Sequence, residues 1–192
     1  MDKILVVKVG GNLINNNDVF NRFLKYFAKI QSKKILVHGG GNQVTKMCKK
    51  LNLEINIRNG RRITSVENLE VATMIYAGSL NKTLVTKLQS LNCNSIGLSG
   101  ADANLIESVK RPVKEIDYGL VGDVKKINSI FLKNLLDDNI VPVICSITHD
   151  KNGQLLNTNA DTITSEIAIS LSKDYLVSLI YCHKKNGVLS NP

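Results

Sequence analysis

Apolar residues recur along this chain in two alternating patterns, short continuous runs and longer stretches with helical spacing. Lys3 to Val9 is a run of Val, Ile and Leu that stops at Gly10-Gly11. This is the pattern of a buried parallel strand closed by a glycine turn. Asp18 then precedes a stretch in which Phe20, Phe23, Leu24, Phe27 and Ile30 fall on one helical face. Lys34 to His38 repeats the strand pattern and closes on Gly39-Gly40-Gly41, after which Val44 to Leu51 returns to helical spacing. From Glu54 to Thr64, Ile55 and Ile57 alternate with polar residues, Asn59-Gly60 is a strong turn signal, and Arg62-Ile63-Thr64 extends again. That spacing predicts a β-hairpin. Ser65 to Leu91 reads as a long helical region, N-capped by Ser65 and broken near Gly78.

The second half continues the alternation. Asn94 to Leu98 is a strand ending at Ser99-Gly100, and Asn104 to Ile127 carries Pro112, Gly119 and Gly122 among short β-like segments. The latter predicts a second hairpin over the sheet edge. A helix over Asn128–Asp138, a strand over Ile140–Ile147 and a turn at Asp150-Lys151-Asn152-Gly153 follow. Asn159 is placed to cap a helix running to Leu171, and Tyr175 to Tyr181 forms the last strand. Strands of the buried type alternating with helices imply a parallel α/β sandwich, with no internal repeat or domain boundary within residues 1–192.

Composition narrows the class. A hydrophobic fraction of 43% argues against disorder. No apolar run reaches the roughly 18 residues that span a bilayer, and Met1-Asp2-Lys3 followed at once by Ile4 does not resemble a secretory leader. The expectation is a cytoplasmic protein that does not enter a membrane. Cys48, Cys93, Cys145 and Cys182 are scattered without a C-x-x-C pair, and His38, His149 and His183 share no metal-ligand spacing. They read as reduced thiols and isolated imidazoles, with no metal site. The net charge of +9 is spread along the chain, mostly on lysine, with doublets only at Lys49-Lys50, Lys125-Lys126 and Lys184-Lys185. It reads as solvated surface that helps draw in anionic substrates; nothing but the charge favours nucleic-acid binding, and no nucleic-acid partner is expected.

Three glycine clusters each follow a predicted strand: Gly10-Gly11, Gly39-Gly40-Gly41 and Gly97-Leu98-Ser99-Gly100. Ligands of open α/β sheets bind at the carboxyl ends of strands, where glycines let backbone amides approach an anion closely. Neither G-x-x-x-x-G-K-[ST] nor a G-x-G-x-x-G that opens a helix is present. Instead Lys8 stands inside the first strand just before its glycines. A lysine in so apolar a run must face a cleft or a counter-ion, so contact with a phosphate is the better reading beside the glycines.

Lys8-Val-Gly-Gly11, His38-Gly-Gly-Gly41, Asn59-Gly-Arg-Arg-Ile-Thr64 and Asn157-Thr-Asn-Ala-Asp161 stand in the order found in N-acetylglutamate kinases, and the chain resembles that family over essentially its whole length. K-x-G-G and N-A-D belong to the wider amino-acid kinase family, whereas H-G-G-G and N-G-x-R-x-T are particular to the acylglutamate branch. The resemblance implies a three-layer sandwich with a mainly parallel central sheet, and β-hairpins over the substrate site. It implies ATP-dependent phosphorylation of the γ-carboxylate of N-acetyl-L-glutamate in arginine biosynthesis. Lys8 would neutralise the phosphoryl group in transfer, and Gly10 and Gly11 would hold phosphate oxygens. Gly40 and Gly41 would bind the acylated amino acid, Arg62 would clamp its α-carboxylate, Asn157 would touch it, and Asp161 would orient Lys8. Arg61 is then a bystander. Mg²⁺ would arrive with ATP, held by phosphates and water rather than by a protein cage.

The resemblance also sets expectations that bear on completeness and regulation. After the last strand the family carries an Asp-x-x-Gly-type segment, where this chain has Tyr181-Cys-His-Lys-Lys-Asn-Gly187-Val-Leu. The family then continues into an adenine-binding part and a second catalytic lysine. Residues 1–192 are therefore expected to supply the acylglutamate-binding part and the start of the ATP-binding part. A homodimer through Ser65–Leu91 and insensitivity to arginine are expected. The alternatives are a kinase for N-succinylglutamate or another N-acylated amino acid, and a binding module without transfer. A spacious acyl pocket flanked by a cation would favour the succinyl group, which no motif decides.

Overall fold

The computed structural model describes residues 1–182, so the segment with Lys184 and Lys185 lies outside the described residues. Its centre is a five-stranded sheet in the order β11-β1-β2-β8-β5, built from Leu176–Cys182, Lys3–Val9, Lys33–His38, Val141–Cys145 and Ser95–Leu98. Every pairing in it is parallel. Alternation along the strands sends side chains to two separate cores. Val7, Val9, Leu36 and Val143 meet Phe20, Leu24 and Phe27 of α2 (Asn17–Lys29) and Leu84 and Leu88 of α5 (Asn81–Gln89). Ile4, Val6, Ile35, Val37 and Ile144 meet Leu132 and Leu136 of α6 (Ser129–Asp137) and Ile163, Ile167 and Leu171 of α7 (Ala160–Leu171). Both faces of β1, β2 and β8 are thus covered, as their uninterrupted apolar runs foretell, whereas β11 at the edge keeps Leu176, Leu179 and Ile180 exposed.

Lys34 is the exception inside β2. It is buried, and its ammonium donates to the carbonyls of Ala28 at 3.0 Å and Ile30 at 2.6 Å. The lysine thereby satisfies the end of α2, where orphan carbonyls and the helix dipole favour a cation.

A second, smaller sheet extends one end of the molecule. β6 (Ile106–Lys110), β7 (Val121–Ile127), β9 (Ile147–His149) and β10 (Leu155–Thr158) form a closed four-stranded barrel. Three expectations change here. The stretch Ile140–Ile147 is two strands broken at Ser146, β10 lacks any apolar run that announces it, and β6 and β7 join a barrel rather than lie over the sheet edge. Strands of three or four residues with Asn and Thr among them carry too little periodicity to be read singly. The first hairpin survives only as β3 (Ile57–Arg58) paired with β4 (Arg61–Arg62), turned by Asn59 and Gly60 at positive φ.

The region around Gly78 is not broken. α4 (Val66–Thr73), capped by the Ser65 hydroxyl, passes through seven π-helical residues, Met74–Leu80, directly into α5. Besides α2, two helices precede α4: α1 (Gly11–Ile14), which no sequence signal marked, and α3 (Gly41–Lys50).

Candidate active site

The carboxyl ends of β1, β2 and β8 open on one rim, where a cleft of about 340 Å³ is walled by their loops, the β3–β4 hairpin and the start of α7. Two glycine loops touch there. A β-carbon on Gly11 would stand 3.7 Å from the Gly40 Cα, and one on Gly39 would stand 3.6 Å from the Ala160 methyl. Gly40 is packed hardest, since a β-carbon would lie 2.7 Å from Leu80 Cδ2 and 3.0 Å from the Tyr76 ring. The π-helical stretch supplies both of those side chains, so its wider turns form the floor under the second glycine loop. Burial pushes the Tyr76 hydroxyl up to about 12, which keeps it protonated.

Lys8 projects from the end of β1 with its side chain 12% exposed and forms an ion pair with Asp161 at 2.9 Å. Asp161 sits in the first turn of α7, behind Asn159, whose side-chain oxygen accepts from the amides of Asp161 at 2.8 Å and Thr162 at 3.0 Å. The helix start fixes the carboxylate, and the carboxylate holds the lysine at the mouth of the cleft. The Tyr181 hydroxyl donates to the Asp161 carbonyl at 3.2 Å, which ties β11 to the same point.

Arg62 enters from the hairpin. Its Nη2 donates to Thr45 Oγ1 at 2.6 Å and to the Gly41 carbonyl at 3.2 Å, while its Nη1 is buried and has no hydrogen-bond partner among the described residues. A buried guanidinium nitrogen without an acceptor is unfavourable by about 1–3 kcal/mol, and a carboxylate in the cleft removes that penalty. Asn157, on β10, donates to Thr64 Oγ1 at 3.0 Å and so links the barrel to the hairpin.

Behind the second glycine loop His38 is fully buried. One ring nitrogen lies 3.1 Å from the Gly39 carbonyl and the other 3.0 Å from the Asn81 amide nitrogen, which also donates to the Val143 carbonyl at 2.9 Å. The pair requires a neutral ring, protonated at Nδ1 and accepting at Nε2. Burial lowers its pKa to about 4. His38 is therefore a brace for the glycine loop rather than a proton carrier.

Comparisons with known proteins give the family. The model of the amino acid kinase family matches residues 3–192. The chain belongs to the amino acid kinase family. An acetylglutamate kinase of Cytophaga hutchinsonii is 52% identical over 190 residues, covering 98% of this chain and 72% of the relative. One of Parabacteroides distasonis is 49% identical, covering 98% and 74%. Among solved structures, smu.665 from Streptococcus mutans superposes with a TM-score of 0.83 at 27% identity, covering 98% of this chain and 75% of that one. An isopentenyl phosphate kinase shares the fold at a TM-score of 0.66 and 15% identity, covering 99% and 76%.

For this family member, Lys8, Gly10, Gly11, Gly40, Gly41, Arg62, Asn157 and Asp161 all line the one cleft. The cluster ending at Gly100 does not; the Gly100 amide donates to the Ile147 carbonyl of β9 at 2.7 Å instead. Thr45, Tyr76, Ser146 and Arg111 also line the cleft and were not foreseen. Thr45 lies one helical turn beyond Gly41, which is a usable signal, whereas Tyr76 and Arg111 reach the cleft only through tertiary folding. Among the described residues no group of three or more His, Cys, Asp or Glu could hold a metal ion, and no helix is long and apolar enough to cross a membrane.

Proposed function

We propose that this cleft binds an N-acylated L-glutamate beside ATP and transfers the γ-phosphoryl group to the side-chain carboxylate, giving an acyl phosphate and ADP. The observation that carries the reading is Arg62, fixed by Thr45 and Gly41 with a buried Nη1 left for an acceptor, in the same cleft as the Lys8–Asp161 pair. In this arrangement Arg62 holds the α-carboxylate, assisted by Gly40 and Gly41 at the start of α3, where a helix N-terminus favours an anion. Asn157 orients the acylated amino acid. The amides of Gly10 and Gly11 and the Lys8 ammonium face the phosphoryl group.

The attacking γ-carboxylate is already ionised near neutral pH, so no general base is needed. An oxygen of that carboxylate forms the new bond to phosphorus as the bond to the ADP oxygen breaks. Lys8 counters charge on the phosphoryl oxygens during transfer, and Asp161 keeps its ammonium in place. Mg²⁺ would be carried on the nucleotide, since it keeps most of its ligands as water and phosphate. N-acetyl-L-glutamate is the first substrate to try, because the relatives above are named acetylglutamate kinases. A cytoplasmic enzyme of amino-acid biosynthesis is the setting this reading supplies.

Trapping the acyl phosphate with hydroxylamine tests the reading. Hydroxamate should form only when ATP and the N-acylglutamate are both present, and Lys8→Met should lower the rate by about 10²–10³-fold. Equal hydroxamate from unacylated glutamate, or none from protein that binds both ligands, would overturn it.

A further inference from the structure

Arg111 follows β6 and leans on the wall that carries Asn157. Its amide donates to the Val121 carbonyl at 2.8 Å, and Val121 is the register partner of Asn157 across β7 and β10. Its Nε lies 3.1 and 3.2 Å from the two oxygens of Asp123, its Nη2 lies 2.5 Å from one of them, and the guanidinium stands 5.5 Å over the Tyr118 ring. The head is therefore locked on one edge and one face. Its Nη1 is buried with no partner among the described residues, the same condition as Arg62. Arg111 also lines two spaces at once, the substrate cleft and an adjoining pocket of about 510 Å³ that shares Arg61 with it. That pocket adds Lys114, and its acids are Glu115 and the already engaged Asp123. Neither Arg61 nor Lys114 enters an ion pair among the described residues.

Three branches leave the α-carbon of an acylglutamate. On the proposed reading, Arg62 takes the α-carboxylate and the Lys8 end takes the side chain. The acyl branch is left with the third wall, formed by Val121, Asn157 and Arg111. An acetyl methyl placed there would cover Nη1 and offer it nothing, leaving two buried N–H groups unsatisfied. A second carboxylate at the far end of a longer acyl chain would accept from both, with Arg61 and Lys114 adding attraction through the adjoining space.

We propose that the substrate's acyl group is itself acidic, a dicarboxylic acyl chain of about succinyl length, and that Arg111 is the side chain that reads its terminal carboxylate. This rests on the acylglutamate reading above and goes beyond the acetyl group in the relatives' names. Calorimetric titration of the 192-residue protein with N-succinyl-, N-butyryl- and N-acetyl-L-glutamate tests it. Butyryl matches succinyl in length and lacks the charge. Succinylglutamate should bind at least tenfold tighter than butyrylglutamate, the effect of about one charge-assisted hydrogen bond. Arg111→Met should bring that ratio close to one. Arg111→Lys, which keeps the charge and loses the fork, should fall between. Butyryl- or acetylglutamate binding as tightly as succinylglutamate would overturn the proposal and leave the acylglutamate site standing. A succinyl preference that survives Arg111→Met would overturn the role of Arg111. No binding of any of the three would overturn the site itself, and this inference with it.

Discussion

Arg61 and Arg62 are adjacent, chemically identical and differently placed. Arg61 is exposed, while Arg62 is half-buried and held by Thr45 and Gly41. His38 shows the same dependence on setting. Its pKa of about 4 lies below the ordinary 6.5, so the unfolded chain takes up a proton that the folded one refuses. The contribution to stability is complete above pH 6.5 and is lost as pH falls through that value toward 4. Between pH 7 and pH 5 this loss is about 2 kcal/mol. Urea midpoints at the two pH values should show it, and His38→Gln, which keeps a polar amide there, should shrink the difference by most of that amount. An undiminished difference would assign the pH dependence to other groups.

At the scale of elements, glycines with similar sequence surroundings have opposite consequences. A β-carbon on Gly78, within the π-helical stretch, would meet nothing within 4 Å, whereas one on Gly97 of β5 would lie 1.8 Å from the Asn81 side-chain oxygen. Gly78→Ala should therefore stabilise by up to about 1 kcal/mol through helix propensity. Gly97→Ala should destabilise by about 1–3 kcal/mol and disturb the Asn81–His38 brace. Thermal melts of the two variants moving the same way would contradict this. The central strands and the helices that cover them were legible, because the strands are continuous apolar runs and the helices repeat at period 3.6. β9, β10 and the four-residue α1 were not, because elements so short are fixed by their neighbours' hydrogen bonds. The eight motif residues could be named from sequence because they fall in four short motifs, Lys8–Gly11, His38–Gly41, Asn59–Thr64 and Asn157–Asp161, at or near strand ends and helix starts. Arg111 could not, since only the closure of the barrel brings β6 and β7 against Asn157.

Across the whole molecule, the parallel sheet points three strand ends at one rim, and the barrel supplies the wall that faces them. The cleft between them is lined by Lys8, Arg61, Arg62 and Arg111 against the single acid Asp161, so it presents a cationic surface to a polyanionic pair of substrates. The chain spans about three quarters of the relatives it matches, 72% and 74% for the two kinases described. On the proposed reading, the residues that hold the acceptor all lie within this chain. The most direct test of the account is calorimetric titration of N-acetyl-L-glutamate into the protein and into Arg62→Ala and Arg61→Ala. Saturable binding that Arg62→Ala weakens by about 10–100-fold, and that Arg61→Ala leaves within about threefold, is the predicted result. Equal effects of the two substitutions, or binding that neither affects, would contradict the assignment of this cleft to the acylglutamate.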